Sequence, residues 1–465
     1  MSISSWMQDI DQVSLSLTCH GLFDTFKASS FLFGHRLNQS LHSGITPSSV
    51  TSLKLSPGFN QPLLAGHIPL SVTSLTFGIR FNQPLLAGHI PSSVTSLDIG
   101  HNFNQPLLAG HIPASVTSLT FGLFNQPLLA DHIPSSVTSL IFGSFNQPLL
   151  AGHIPSSVTS LLFGSFNQPL LAGHIPSSVT SLLFRTFNQP LLAGHIPSSV
   201  TSLTFETIFN QPLLAGHIPA SVTSLTFSLF FNQPLLEGHI PERVKSLSFG
   251  LHFNQPLLTG HVPASVTSLT FSHHFNQALF AGHIPPSVTS LVLGYYFNKP
   301  LLAGHIPTSV KSLTFSSQFD QTLLAGHIPS SVTSLDLGCC AKYRQPLHNG
   351  HIPTSVTSLT LGDMSRKPKL SAQGVVEYLQ HMFSDQSSRF HIANLTIHFD
   401  VFHCSNRLPV NASSISSLCF IFQFTSTLVI DQTPLCGTVS KMFARLIDTH
   451  NVLLLKDTRF GLTKL

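Results

Sequence analysis

The sequence predicts a repeat solenoid, one short coil per repeat, with a curved parallel β-sheet along one face and short turns with little helix on the convex side. Three observations carry this. The motif FNQPLLAGHIPxSVTSLxFG recurs mostly every 21 or 22 residues, in copies beginning at Leu37, Phe59, Phe81, Phe103, Phe124, Phe145, Phe166, Phe187, Phe209, Phe231, Phe253, Phe275, Phe297, Phe319 and Tyr343. Each copy holds a VxxLxF run such as Val72, Leu75 and Phe77, and alternation of large apolar residues marks a half-buried strand. Two prolines bracket the remainder, Pro84 and Pro91 in the copy from Phe81; lacking an N–H, proline blocks a helix interior.

In chain order, residues 1–27 precede the repeats. The strand pattern starts within 28–34, at Phe31 and Phe33, so the solenoid spans 28–362. Inside one copy a single helical turn fits: Asn82 as N-cap, Pro84 in the first turn and Gly88 ending it in a left-handed conformation. His89 and Ile90 before Pro91 are expected to be extended. One coil cannot bury Phe81, Leu85, Ile90, Val94, Leu97 and Ile99 alone, but coils stacked about 4.8 Å apart align such residues into columns. The copies from Phe103, Phe124, Phe145 and Phe166 have 21 residues, the loss falling in the rim after the strand. Beyond Gly362 the motif fades. Ile392-x-x-Leu395-x-Ile397 and Ile415-x-x-Leu418-x-Phe420 read as degenerate coils, 375–383 and 441–447 as helices and 451–456 as a buried strand. Residues 363–465 are therefore assigned to degenerate repeats and a C-terminal cap.

Composition narrows function. Hydrophobic residues make up 42% and charged residues 8%, against the ordinary quarter for charge, so Ser, Thr, Asn, Gln and His must cover the surface. The formal charge is +4 and no Lys/Arg stripe recurs, which argues against nucleic acid. Recurring carboxylates, a nucleophile elbow, a P-loop and a dinucleotide fingerprint are all missing from the sequence, so no enzyme is expected and no cofactor is implied. The start lacks a basic segment leading into an apolar run. The longest apolar stretch, 418–430, is short and interrupted by Gln423 and Thr425, so no membrane span is expected. The six cysteines, at 19, 339, 340, 404, 419 and 436, match no zinc spacing. Reduced thiols and a cytoplasmic location follow.

The layout resembles the leucine-rich repeat. Val72-x-x-Leu75-x-Phe77 stands where that family has LxxLxL, Asn82 lies near its ladder asparagine, and Gly88-x-Ile90-Pro91 resembles its plant-type GxIP. Phe81 before the asparagine departs from it; with FNQPL and the downstream IP the unit looks like the FNIP repeat. That resemblance implies a non-catalytic protein–protein interaction scaffold with a protein partner. Residues 9–19 resemble the second half of an F-box, without its opening half. An F-box-like remnant there would imply a substrate adaptor of a ubiquitin ligase; the other reading of 1–27 is a cap over the first coil.

Two repeated polar positions stand out. One is a histidine column: His67, His89, His111, His132, His153, His174, His195, His217, His239, His261, His283, His305, His327 and His351. A straight ladder offers a metal two ligands at a time, so no metal site is assigned to it, and a metal- or pH-responsive histidine array is the third functional reading. The other is an asparagine column, expected to bond backbone groups of adjacent coils. Partner-binding candidates lie where copies differ. Ile141, Leu162 and Leu183 replace the Thr or Ser between the strand Leu and Phe on three consecutive coils, placing an apolar stripe on the concave face. Arg185, Glu206, His252, His273, His274, Tyr295 and Tyr296 vary along the rim after the strand.

Overall fold

The structure, a computed structural model, describes residues 40–44, 46–337 and 350–360 in full. It describes the backbone alone of residue 361 and of the strands at 30–33, 392–400, 425–433, 440–448, 451–456 and 459–464. The chain divides into two compact units, Met1–Ser228 and Leu229–Leu465.

The first unit carries ten short strands: β1 (Ser30–Phe33), β2 (Ser52–Leu55), β3 (Ser74–Thr76), β4 (Ser96–Asp98), β5 (Ser118–Phe121), β6 (Ser139–Phe142), β7 (Ser160–Phe163), β8 (Ser181–Phe184), β9 (Ser202–Phe205) and β10 (Ser224–Thr226). Each pairs parallel with the next, serine opposite serine and, from β2 onward, leucine opposite leucine, as in Ser139↔Ser160 and Leu140↔Leu161. The same register joins β1 to β2 and β9 to β10.

The second unit holds β11 (Ser246–Ser248), β12 (Ser268–Thr270), β13 (Ser290–Val292), β14 (Ser312–Thr314), β15 (Ser334–Asp336) and β16 (Ser358–Leu361) in that arrangement. β17 (Ile392–Asp400) follows parallel with Leu359↔Leu395 and Leu361↔Ile397, so the strand over 392–397 pairs in register with β16. β18 (Thr425–Thr433) pairs parallel with β17. β19 (Ser440–Asp448), β20 (Asn451–Lys456) and β21 (Arg459–Lys464) then form an antiparallel meander. The helix expected at 441–447 is thus corrected to a strand, because a short apolar run cannot distinguish the two periods and pairing with β18 and β20 decides it. Residues 1–27, the expected helix at 375–383, the expected coil at 415–420 and all six cysteines lie outside the described residues.

A 22-residue coil such as the one from Phe81 is a strand joined to the next by three tight turns. In the copy from Phe81 these are closed by Phe81 N–H to Gly78 O (3.1 Å), His89 N–H to Leu86 O (3.1 Å) and Val94 N–H to Pro91 O (3.1 Å). The middle turn contains Gly88 at φ 83°, a left-handed conformation that suits glycine. No helix occurs among the described residues, which corrects the expected helical turn. Asn82 does not cap its own coil; its side chain reaches into the next one, as described below.

Phe81, Leu85, Ile90, Val94, Leu97 and Ile99 are each at most 2% exposed. Burial of each such side chain contributes roughly 1.5–3 kcal/mol. Within the first unit the motif phenylalanines stack at 6.4 Å with 4° between planes for Phe145 and Phe166. The strand phenylalanines stack alongside, Phe142 on Phe163 at 5.7 Å, and Phe142 touches Phe145 at 4.7 Å. In the second unit Phe253 and Phe275 repeat the pattern at 6.3 Å.

Candidate functional site

In the second unit the rim between strand and motif carries two residues per coil: Leu229-Phe230, Leu251-His252, His273-His274, Tyr295-Tyr296 and Ser317-Gln318. Coil-to-coil backbone bonds hold them in register. His252 N–H donates to Leu229 O (2.8 Å), His274 N–H to Leu251 O (2.9 Å), Tyr296 N–H to His273 O (2.9 Å) and Gln318 N–H to Tyr295 O (3.1 Å). Aromatic rings therefore follow one another along two short ladders. Phe230 stacks on His252 at 5.0 Å and 9°. His252 meets His274 edge-on at 4.6 Å and 89°, with their Nδ1 atoms 3.1 Å apart. His274 packs against Tyr296 at 5.1 Å. On the second ladder His273 lies flat on Tyr295 at 4.4 Å and 1°, and Gln318 Nε2 donates to the Tyr295 hydroxyl at 3.2 Å. Burial, and then the neighbouring His274 and His252, hold the His273 pKa below its ordinary value. Phe230 and Tyr296 remain 48% and 45% exposed. The structure thus gathers five of the rim candidates, His252, His273, His274, Tyr295 and Tyr296, into one platform.

The other candidates lie in the first unit. Ile141, Leu162 and Leu183 are direct register neighbours on β6, β7 and β8, flanked by Thr120 and Thr204. Each is half-buried. Arg185 and Glu206 meet each other, Nε to Oε2 at 2.7 Å. Such a surface pair contributes roughly 0–1 kcal/mol.

The sequence reading missed a third surface. The second of the two apolar residues that follow each motif's proline position stays uncovered: Leu64, Leu86, Leu108, Leu129, Leu150, Leu171, Leu192 and Leu214 in the first unit, and Leu236, Leu258, Phe280, Leu302 and Leu324 in the second. Their exposures run from 50% at Leu324 to 60% at Leu64. A signal was present. Leu85 and Leu86 are adjacent in a segment that proline keeps from being helical, and neighbours on an extended backbone face opposite sides, so only one of the two can enter the core.

The FNIP Repeat signature matches residues 38–79, 81–123, 124–166, 166–207, 187–230, 209–252, 231–274, 275–318 and 297–340. The chain belongs to the FNIP repeat family. The solved structure of CroV588, described as a novel circular LRR protein, is similar with a TM-score of 0.57 and 29% identity over 79% of this chain. The chain spans 58% of that protein. Among curated proteins none matches.

Within the FNIP repeats both repeated polar columns have structural work. Asn82 N–H donates to Asn60 Oδ1 at 2.9 Å, and Gln83 Nε2 donates to the same oxygen at 3.2 Å. The pattern recurs from Asn104 on Asn82 to, in the second unit, Asp320 on Asn298. The FNIP histidine closes the middle turn: the Leu86 N–H donates to His89 Nδ1 at 3.3 Å, which fixes the proton on Nε2. His283, His305 and His327 differ, with a buried Nδ1 that finds no hydrogen-bond partner. Among the described residues no three His, Cys, Asp or Glu side chains converge as metal ligands, and no helix is long and apolar enough to cross a membrane.

Proposed function

We propose that this FNIP protein is a non-catalytic scaffold that captures protein partners in the cytoplasm. The observation that supports it most is the rim platform of the second unit, where Phe230, Tyr295 and Tyr296 join three histidines on a backbone pinned coil to coil. Aromatic side chains are enriched at the centres of protein interfaces. A platform already in register spends little free energy on ordering when a partner docks. The stripe of Ile141, Leu162 and Leu183, with Arg185 and Glu206 at its edge, offers a second docking surface on the first unit. The scarcity of Lys and Arg across both surfaces favours a protein over a nucleic acid.

Cross-linking and affinity capture from cells test this. The full chain is compared with Tyr295→Ala/Tyr296→Ala and with Ile141→Ser/Leu162→Ser/Leu183→Ser. Each variant should keep its circular dichroism spectrum and lose a defined subset of partners. Identical partner sets for all three proteins would reject both surfaces, and cell fractionation checks the compartment.

A further inference from the structure

We propose that His252 and His274 form a two-imidazole site for a borderline divalent metal ion, zinc or copper(II), on the rim of the second unit. Metal capture at this pair needs no protein partner. Their Nδ1 atoms stand 3.1 Å apart. With metal–nitrogen bonds of about 2.0–2.1 Å, that separation subtends roughly 95–102° at the ion, between the square-planar and tetrahedral values that copper(II) and zinc favour.

The protonation chemistry points the same way. Two neutral imidazoles with both protons on Nε2 would set two Nδ1 lone pairs against each other at this distance. Without a metal, one Nδ1 must therefore carry a proton and donate it to the other. A cation satisfies both lone pairs at once: each ring keeps one proton, now on Nε2, and the only new bonds are two Nδ1–metal bonds. To bind the ion both rings must turn so that their lone pairs leave the Nδ1···Nδ1 line and meet at one point. Water fills the remaining positions, since among the described residues no third His, Cys, Asp or Glu joins the group.

The pair is built rather than incidental. The backbone bonds of His252 to Leu229 and of His274 to Leu251 fix its spacing. Phe230 stacks on His252 and Tyr296 packs against His274, so both rings are flanked by aromatic neighbours. The motif histidines are different, because a backbone N–H already occupies Nδ1 in residues such as His89 and His111.

Isothermal titration of the full chain with zinc chloride, in a buffer that does not bind metal, tests the site. Wild type should take up one ion more tightly than the background of surface imidazoles. His252→Gln and His274→Gln should each weaken that event by roughly tenfold or more, whereas His111→Gln should not. His252→Phe, which copies Phe230 of the preceding coil, keeps the ring packing and removes the ligand, so it should behave as His252→Gln does. Electron spin resonance of the copper(II) form should lose one coordinated nitrogen in each rim variant. Unchanged affinity in the rim variants, an equal loss in His111→Gln, or a copper spectrum indifferent to the substitutions would overturn the assignment.

Discussion

Leu64 and His67 are joined twice: the Leu64 N–H donates to His67 Nδ1 at 3.2 Å, and the His67 N–H donates back to the Leu64 carbonyl at 3.2 Å. The turn between them is closed by side chain and backbone together, and only a neutral imidazole can accept the first bond. Protonation of the column histidines that the fold holds below their ordinary pKa therefore opposes it. His89, His132, His153, His174, His195, His283 and His305 have pKa values below the ordinary 6.5, from burial first and neighbouring column histidines second. For His261, burial outweighs the raising effect of Glu237. A depressed value means the unfolded chain binds protons first as pH falls. The stabilisation is full above about pH 6.5 and is lost as pH drops through the folded values. The thermal midpoint should hold steady above about pH 7 and fall as pH drops below about 6.5; a flat profile on the acid side would refute the reading.

The asparagine ladder predicts a different signature. Asn188 N–H donates to Asn167 Oδ1 at 2.8 Å, one coil away, and Gln189 Nε2 donates to the same oxygen. Asn167→Ala leaves both donors unpaired and should destabilise by about 1–3 kcal/mol. Asn167→Asp keeps the acceptor and should cost less. Hydrogen exchange locates the effect: the Asn188 amide should lose protection, whereas an N-cap role would expose amides in the coil of Asn167 itself.

The strands and their register were legible because the repeat states them many times over. Val72, Leu75 and Phe77 alternate locally, and a parallel neighbour with the same letters can only pair serine to serine. What escaped the sequence depends on contacts about 22 residues away. Asn82 has the residue type of an N-cap, but its carbonyl partner is the next coil's backbone N–H on Asn104, which local propensity does not reveal. Leu86 escaped for a different reason: it looks like Leu85, and only the direction of the backbone assigns one to the core and the other to solvent. At the rim, residue types marked His252 and His274 as unusual, but the meeting of their nitrogens follows from coil spacing and ring rotation.

In the short coils the backbones approach closely after the strand phenylalanines of β6 and β7, where Gly143 and Gly164 stand, while Arg185 takes that position after β8. A Cβ on Gly164 would sit 2.0 Å from the Gly143 carbonyl oxygen, and that tight stacking accompanies the bond from Gly164 N–H to Phe142 O at 2.6 Å. Gly164→Ala must push two coils apart. The expected loss is at least about 1–3 kcal/mol, read as a lower denaturation midpoint with reduced amide protection centred on β7 and β8. A substitution tolerated without change would mean the coils separate freely at this edge.

Asp131 is the exception that measures the turn. It occupies the position filled by Gly110 at φ 83° and Gly152 at φ 87°, and adopts φ 68° itself. The turn still closes, with His132 N–H to Leu129 O at 3.3 Å and Leu129 N–H to His132 Nδ1 at 3.3 Å. A residue with a Cβ pays about 1–2 kcal/mol in the left-handed region, less for aspartate, while glycine gives back part of that advantage through its freer unfolded chain. Asp131→Gly should therefore stabilise the first unit by about 0.5–1 kcal/mol, and Gly152→Ala should destabilise it by about 1 kcal/mol or more. Chemical denaturation of both variants beside wild type separates the effects by sign. If Asp131→Gly lowers the midpoint, the carboxylate contributes to the fold in a way that outweighs its backbone strain.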